Sequence, residues 1–222
     1  MKRVFVTGTD TGVGKTHVTQ ALLHAARRQG LCAVGFKPVA AGAEQTAAGW
    51  RNEDGLALQA ASALALDYEL INPVVLEAPL SPHLAAQRQG RHVSVRELLD
   101  AVARLPQPRI DLCLMEGAGG WRVPLNDEEL LSDVARAWAE GVVLVVGMRL
   151  GCLNHALLTA QAIRADGLPL LGWVANHIDP AMACLDDNIR YLESCLGAPL
   201  LGRVDYGQAP EAARLDCTLL GR

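Results

Sequence analysis

A lysine and a threonine side by side at the start of a helix, behind a run of glycines, can grip the phosphates of a nucleoside triphosphate. The stretch Gly8-Thr9-Asp10-Thr11-Gly12-Val13-Gly14-Lys15-Thr16 has this composition. Backbone N–H groups of such a loop point at phosphate oxygens, the lysine reaches the β/γ-phosphates, and the threonine hydroxyl ligates Mg²⁺. Five residues separate Gly8 from Gly14, one more than the usual G-x-x-x-x-G-K-[ST] spacing. A strand-to-helix turn that merely uses glycines would not need Lys15 and Thr16 where they stand. Three further groups could join this chemistry. Lys37 closes an apolar run just before Pro38 and reads either as a solvated charge or as a phosphate-facing cation. Asp54 opens a helical stretch, where an aspartate is an N-cap or a Mg²⁺-side carboxylate. Glu116 ends the run Asp111-Leu112-Cys113-Leu114-Met115 and is followed by Gly117-Ala118-Gly119-Gly120. A carboxylate there can hold Mg²⁺ or its water, and the glycines allow close backbone approach.

The elements that must position these groups alternate along the chain. Residues 4–7 read as a strand, and apolar positions Val18, Ala21, Leu22 and Ala25 give the next segment a helical period that ends near Gly30. Residues 32–39 form a second strand, a loop spans 40–54, and a helix runs over 54–66. A short strand at 71–77 precedes Ser81-Pro82-His83, which opens a helix with proline in its first turn. His83 there is a ligand contact or a surface or capping histidine. Helices are expected over 95–105, 131–140, 151–167 and 185–196, and strands over 111–116, 142–148, 170–178 and 199–204. Regular alternation predicts an α/β fold, one domain over residues 1–222, with a mostly parallel central sheet flanked by helices. Ligands of such sheets bind beyond the carboxyl ends of the strands, which is where Lys37 and Glu116 fall.

Composition narrows the function further. Half of the 222 residues are apolar and 4% are aromatic, so the core is built mainly of Leu, Val and Ala. A formal net charge of −4 argues against a general nucleic-acid or membrane-surface binder. The chain enters a strand at its start rather than a signal peptide, and it has no apolar run of membrane-spanning length. Cys32, Cys113, Cys152, Cys184, Cys195 and Cys217 form no Cys-x-x-Cys pair, and most sit in apolar runs as packed, reduced thiols, which points to the cytoplasm.

Five motifs in order resemble one family, the dethiobiotin synthetases of biotin biosynthesis, within the P-loop NTPase superfamily. They are the Gly8–Thr16 loop, Gly35-Phe36-Lys37-Pro38-Val39, Glu116-Gly117-Ala118-Gly119-Gly120, Leu150-Gly151-Cys152-Leu153-Asn154-His155 and Gly172-Trp173-Val174-Ala175-Asn176. The resemblance spans residues 3 to about 205 and includes the long loop. It implies a ligase that forms C–N bonds: 7,8-diaminopelargonate, CO₂ and ATP give dethiobiotin, ADP and phosphate through a carbamate and a carbamic–phosphoric anhydride. By resemblance, Lys37 is the catalytic lysine, Lys15 holds the β/γ-phosphates, and Thr11 contacts phosphate or carbamate. Thr16, Asp54 and Glu116 match Mg²⁺ positions. Gly12, Val13, Gly14, His17, Gly117, Ala118 and Gly119 surround the nucleotide, and Asn176 and His177 match the adenine contact. The resemblance also implies a homodimer whose active sites lie at the interface, with Gly151, Cys152, Leu153 and Asn154 receiving the substrate carboxylate from the partner chain. A helix start is independently suited to an anion.

Three positions depart from the family pattern. Ala41 replaces a serine or threonine that offers a hydroxyl to substrate, Asp205 replaces a proline near the adenine, and Gly12 stands where relatives can carry glutamate. Other functions ask for residues that this chain does not offer. An ATPase that positions cell components would carry a second lysine early in the loop, where Thr9, Asp10 and Thr11 stand. An amidotransferase would need a glutaminase domain, for which 222 residues leave little room. A nucleotide-binding regulatory module would release no phosphate with any diamine.

Overall fold

The computed structural model describes residues 1–220. In chain order, β1 (Lys2–Gly8), α1 (Lys15–Arg28), β2 (Ala33–Phe36) and β3 (Val39–Ala41) lead into a hairpin of β4 (Glu44–Thr46) and β5 (Gly49–Arg51). Then come α2 (Glu53–Ala61), α3 (Tyr68–Ile71), β6 (Val74–Leu76), α4 (Pro82–Arg88), α5 (Val95–Val102) and β7 (Leu112–Glu116). The last part comprises α6 (Leu131–Trp138), β8 (Gly141–Met148), α7 (Cys152–Ala165), β9 (Leu170–His177), α8 (Leu185–Cys195) and β10 (Leu200–Val204).

Six of the strands form a parallel sheet in the order β10-β9-β8-β1-β7-β2. Helices cover both faces, which is why β7 and β8 are buried along their whole length and read as unbroken apolar runs. The main core gathers Val18, Ala21 and Leu22 of α1 against Val4, Leu112 and Leu114 of the sheet. A second cluster packs Leu144, Val146 and Trp173 against Ala156 and Ala160 of α7 and Leu192 of α8.

Strand register brings the chemistry together. Val6 of β1 lies opposite Glu116 of β7, and Phe36 of β2 lies opposite Met115. Lys37 therefore emerges beside Glu116, and both emerge beside the loop that follows β1. The expected strand over 32–39 is two strands. The ladder of β2 stops at Phe36, and β3 pairs with β6 in a separate two-stranded sheet. Pro38, which has no N–H to donate, sits at the break. The segment expected as loop carries β3 and the β4–β5 hairpin, and α3 was not foreseen. The helices expected over 54–66 and 95–105 end at Ala61 and Val102.

All six cysteines are free, but packing accounts for only Cys113, Cys152 and Cys217; Cys184 and Cys195 are exposed. Burial pushes the Cys113 and Cys217 thiols up to about 12, so both stay protonated. Among the described residues no helix is long and apolar enough to cross a membrane.

Candidate active site

The phosphate loop is held from below. Val13 is buried, and its carbonyl accepts a hydrogen bond of 2.8 Å from Asn176 Nδ2 at the end of β9. Gly14 precedes α1 in the left-handed region at φ 83°, and a Cβ there would lie 2.1 Å from Asn176 Nδ2. Gly14→Ala must therefore accept a strained backbone, at about 1–2 kcal/mol, or displace the amide that braces the loop. ATP affinity should fall by about tenfold or more, as read by titration calorimetry; an unaltered affinity would show that the loop tolerates a side chain here.

Lys15 is the first residue of α1, and its ammonium folds back over the loop to donate to the Asp10 carbonyl at 3.0 Å. Arg149, beyond the end of β8, fixes the Asp10 carboxylate at 2.7 Å. Burial, and then the Lys37 charge, pull the Lys15 ammonium down to about 8. A cation so placed is stabilised by any anion that enters the loop.

Lys37 is 2% exposed and lies between two carboxylates, 2.7 Å from Asp54 Oδ2 and 2.7 Å from Glu116 Oε1. Burial alone would lower its affinity for a proton; Glu116 and Asp54 outweigh that and hold it above the usual lysine range. Burial likewise opposes ionisation of Asp54, but Lys37 and the Thr16 hydroxyl hold its carboxyl below the usual range. Asp54 is not the cap of α2. Asn52 is, accepting from the Asp54 N–H at 3.0 Å, and this leaves the Asp54 side chain free to face the loop.

Thr16 Oγ1 lies 2.7 Å from Asp54 Oδ1 and 2.8 Å from Glu116 Oε1. One hydroxyl proton can serve only one of these oxygens at a time. Glu116 Oε2 is buried with no partner. Oxygens from three side chains thus converge with unspent acceptor capacity. This donor set suits Mg²⁺, which takes one or two carboxylates and fills its remaining positions with water and phosphate oxygens.

Above this cluster opens a cavity of about 990 Å³. Its floor includes Lys15, Thr16, Lys37 and Asp54, and one wall is the apolar turn of Pro79, Leu80, Pro82 and Leu84 with Ala40 and Ala41.

Comparison with known proteins places this chain in a family. The sequence pattern described as an AAA domain matches residues 2–213. The ATP-dependent dethiobiotin synthetase BioD of Pseudomonas paraeruginosa (strain DSM 24068 / PA7) is 54% identical over 100% of this chain and 99% of its own length. That of Cellvibrio japonicus (strain Ueda107) is 52% identical over 99% and 97%. The chain belongs to the ATP-dependent dethiobiotin synthetases. It is accordingly an enzyme of the ligase class. Among solved structures, a ParA family ATPase from Chlorobium tepidum TLS superposes with a TM-score of 0.57 at 14% identity, covering 99% of this chain and 98% of that one. At that identity the likeness is one of fold alone.

Against the synthetase pattern, Thr11, Gly12, Gly14, His17, Ala41, Ala118 and Gly119 line the same cavity as the two lysines. Glu116 and Gly117 lie just beneath it, the Gly117 carbonyl 3.4 Å from Lys37 Nζ. Several expected contacts lie outside the cavity wall. The Val13 side chain is core, so only its backbone can serve a ligand. Asn176 spends an amide hydrogen on the loop, and His177 stands edge-on to Tyr206 with ring centres 6.2 Å apart. Gly151 precedes α7, where the Cys152 thiol is buried and Asn154 is exposed. In the turn from Pro79 to Leu84 the sequence offers His83 as a ligand contact, but the cavity is lined by Pro79, Leu80, Ser81, Pro82 and Leu84 instead. The only signal of this wall in the sequence was a proline-rich turn after an apolar strand.

Proposed function

We propose that the protein carboxylates 7,8-diaminopelargonate with CO₂ and closes the ureido ring of dethiobiotin, converting ATP to ADP and phosphate. One amine attacks CO₂ and loses a proton to leave a carbamate. A carbamate oxygen then takes the γ-phosphoryl group as ADP departs, and the second amine attacks the carbonyl carbon and expels phosphate. Each step gathers negative oxygens, so the protein's part is to position reactants and stabilise charge.

The observation that carries this reading is the buried Lys37 ammonium, fixed between Asp54 and Glu116 at the floor of a cavity that also holds Lys15 and Thr16. Two of its three N–H groups are engaged at 2.7 Å, and the third meets Gly117 O only at 3.4 Å. That third donor is available to an oxygen passing between carbamate and γ-phosphate. Lys15 and the loop amides bind the β/γ-phosphates, with Thr11 at the loop's exposed shoulder. Thr16, Asp54 and Glu116 would hold Mg²⁺, which supplies charge neutralisation for the phosphates. The apolar wall from Ala41 to Leu84 suits the methylene chain of the diamine, and Ala41 adds no hydroxyl to it.

Asn176 and His177 border the adenine in this reading. Gly151 to Asn154 receive the substrate carboxylate of a partner subunit in a homodimer, which keeps them outside their own chain's cavity. Sedimentation as a monomer under assay conditions would remove that arrangement. The direct test of the reaction is phosphate release from ATP. It should require both 7,8-diaminopelargonate and bicarbonate, and equal release without the diamine would sink the proposal.

A further inference from the structure

Lys37 and Asp54 approach each other from elements that share no ladder. The β2 ladder ends one residue before Lys37, and Asp54 sits in the first turn of α2. Something other than the central sheet must hold their backbones. The Lys37 N–H donates to the Ile71 carbonyl at 2.8 Å, and its carbonyl accepts from Asn72 Nδ2 at 2.8 Å. Asn72 Oδ1 accepts from the Tyr68 hydroxyl at 2.8 Å, and that hydroxyl accepts from the Asn52 N–H at 2.8 Å. Asn52 Oδ1 in turn holds the Asp54 N–H at 3.0 Å. The path runs unbroken from one backbone to the other, and the 2.7 Å ion pair between Lys37 and Asp54 closes it into a ring.

Two features set this ring apart from ordinary packing. Tyr68, Asn72 and Asn52 are 4%, 1% and 5% exposed. Burying three polar side chains costs stability unless each is partnered, and here they are; a fully partnered network selects one arrangement of its members. The second Asn72 amide hydrogen goes to Val74 O at 3.3 Å, and the Arg51 guanidinium lies over the Tyr68 ring at 4.3 Å from its centre. Independently, the residue after Asp54 is Gly55, and a Cβ there would fall 2.8 Å from Asn72 Oδ1 and 2.9 Å from the Tyr68 hydroxyl. The α2 backbone rests directly on the network, with no room for a side chain between them.

We propose that the Tyr68–Asn72–Asn52 network sets the distance between Lys37 and Asp54, making these three positioning residues for the ligase reaction. The proposal rests on the reading of Lys37 and Asp54 as groups of the reacting site. Tyr68→Phe removes one oxygen and leaves the Asn52 N–H and Asn72 Oδ1 without partners, while Gly55→Ala pushes α2 off the network. Both should lower kcat by about ten- to a hundredfold, the scale of a small misplacement at a reacting centre, and raise KM for ATP in the Mg²⁺-containing assay by a smaller factor. Titration calorimetry should show a smaller gain in ATP affinity on adding Mg²⁺, with affinity in Mg²⁺-free buffer unchanged.

In an Asp54→Asn background the same substitutions should add little to either readout, because their effect passes through Asp54. Unchanged kcat and Mg²⁺ response in folded Tyr68→Phe would overturn the proposal. So would equal losses in both backgrounds, which would mark the network as fold support only. Thermal melts identify a variant that has not folded, and the milder Tyr68→Phe then decides. Absence of diamine-dependent turnover in the wild-type protein would remove the functional reading instead, and the calorimetric cycle would still judge the network.

Discussion

Replacing Lys37 by alanine should lower diamine-dependent turnover by about 10²–10³-fold, the effect of removing one donor aimed at charge that develops during a reaction. ATP affinity should change little. The ammonium is engaged by Asp54 and Glu116, whereas the proposed function gives the phosphate grip to Lys15 and the loop. The same substitution also weakens the fold, because it leaves Glu116 fully buried without its counter-charge. Removing one partner of a buried pair costs about 3–5 kcal/mol. Asp54 is one-third exposed on its side chain, so water relieves part of its own charge and the cost falls toward the lower end. Lys37→Met, which keeps most of the volume and no charge, separates packing from chemistry. Turnover by steady-state phosphate release and ATP affinity by calorimetry, on variants shown by melting to be folded, give the answer. Unchanged turnover would remove Lys37 from the mechanism.

What the sequence disclosed about this site depended on whether the signal was local. The β1–loop–α1 unit and the carboxylate ending β7 were legible because periodicity, glycines and charge fall within one stretch. Neither the loop nor Glu116 reveals that Val6 and Glu116 are in register; that follows from strand order, which is a property of the whole sheet. Asp54 could be read as a cap or as a metal-side carboxylate. Asn52, two residues earlier, takes the capping role, and composition alone does not say which of two nearby polar residues will do so. Pro38 was visible, but its consequence, a strand that leaves the sheet for β6, needed the partner strand to be known. The Tyr68–Asn72–Asn52 network was invisible for the same reason: its members are ordinary polar residues until folding buries them together. Asn176 shows the converse. Its motif marked it as an adenine contact by resemblance, and the folded chain turns its amide onto the Val13 carbonyl.

Lys15→Ala should produce the opposite division of effects. Lys15 is 7% exposed, and among the described residues no carboxylate lies within ion-pair distance of its ammonium; it donates a hydrogen bond to the Asp10 carbonyl. Burial, and then the neighbouring Lys37 charge, pull its ammonium down to about 8 against the attraction of Glu116, Asp54 and Asp10. Removing this cation breaks no contact ion pair, and the relieved repulsion from Lys37 is set against lost attraction to Glu116, Asp54 and Asp10 and the lost bond to Asp10 O, so thermal stability should change little. The loss falls on the ligand. A hydrogen bond to a charged group contributes about 1.5–3 kcal/mol, so ATP should bind about ten- to a hundredfold more weakly. Calorimetry without diamine isolates this quantity from the chemistry, and an unaltered ATP affinity would contradict the phosphate role. The two lysines share one cavity floor, yet Lys37 makes contact ion pairs with Asp54 and Glu116, whereas Lys15 feels Glu116, Asp54 and Asp10 only from beyond ion-pair distance. A variant series in which Lys37→Ala loses turnover and stability while Lys15→Ala loses nucleotide would follow from the ion pairs that only Lys37 makes and from the different ligand oxygens the two ammonium groups face.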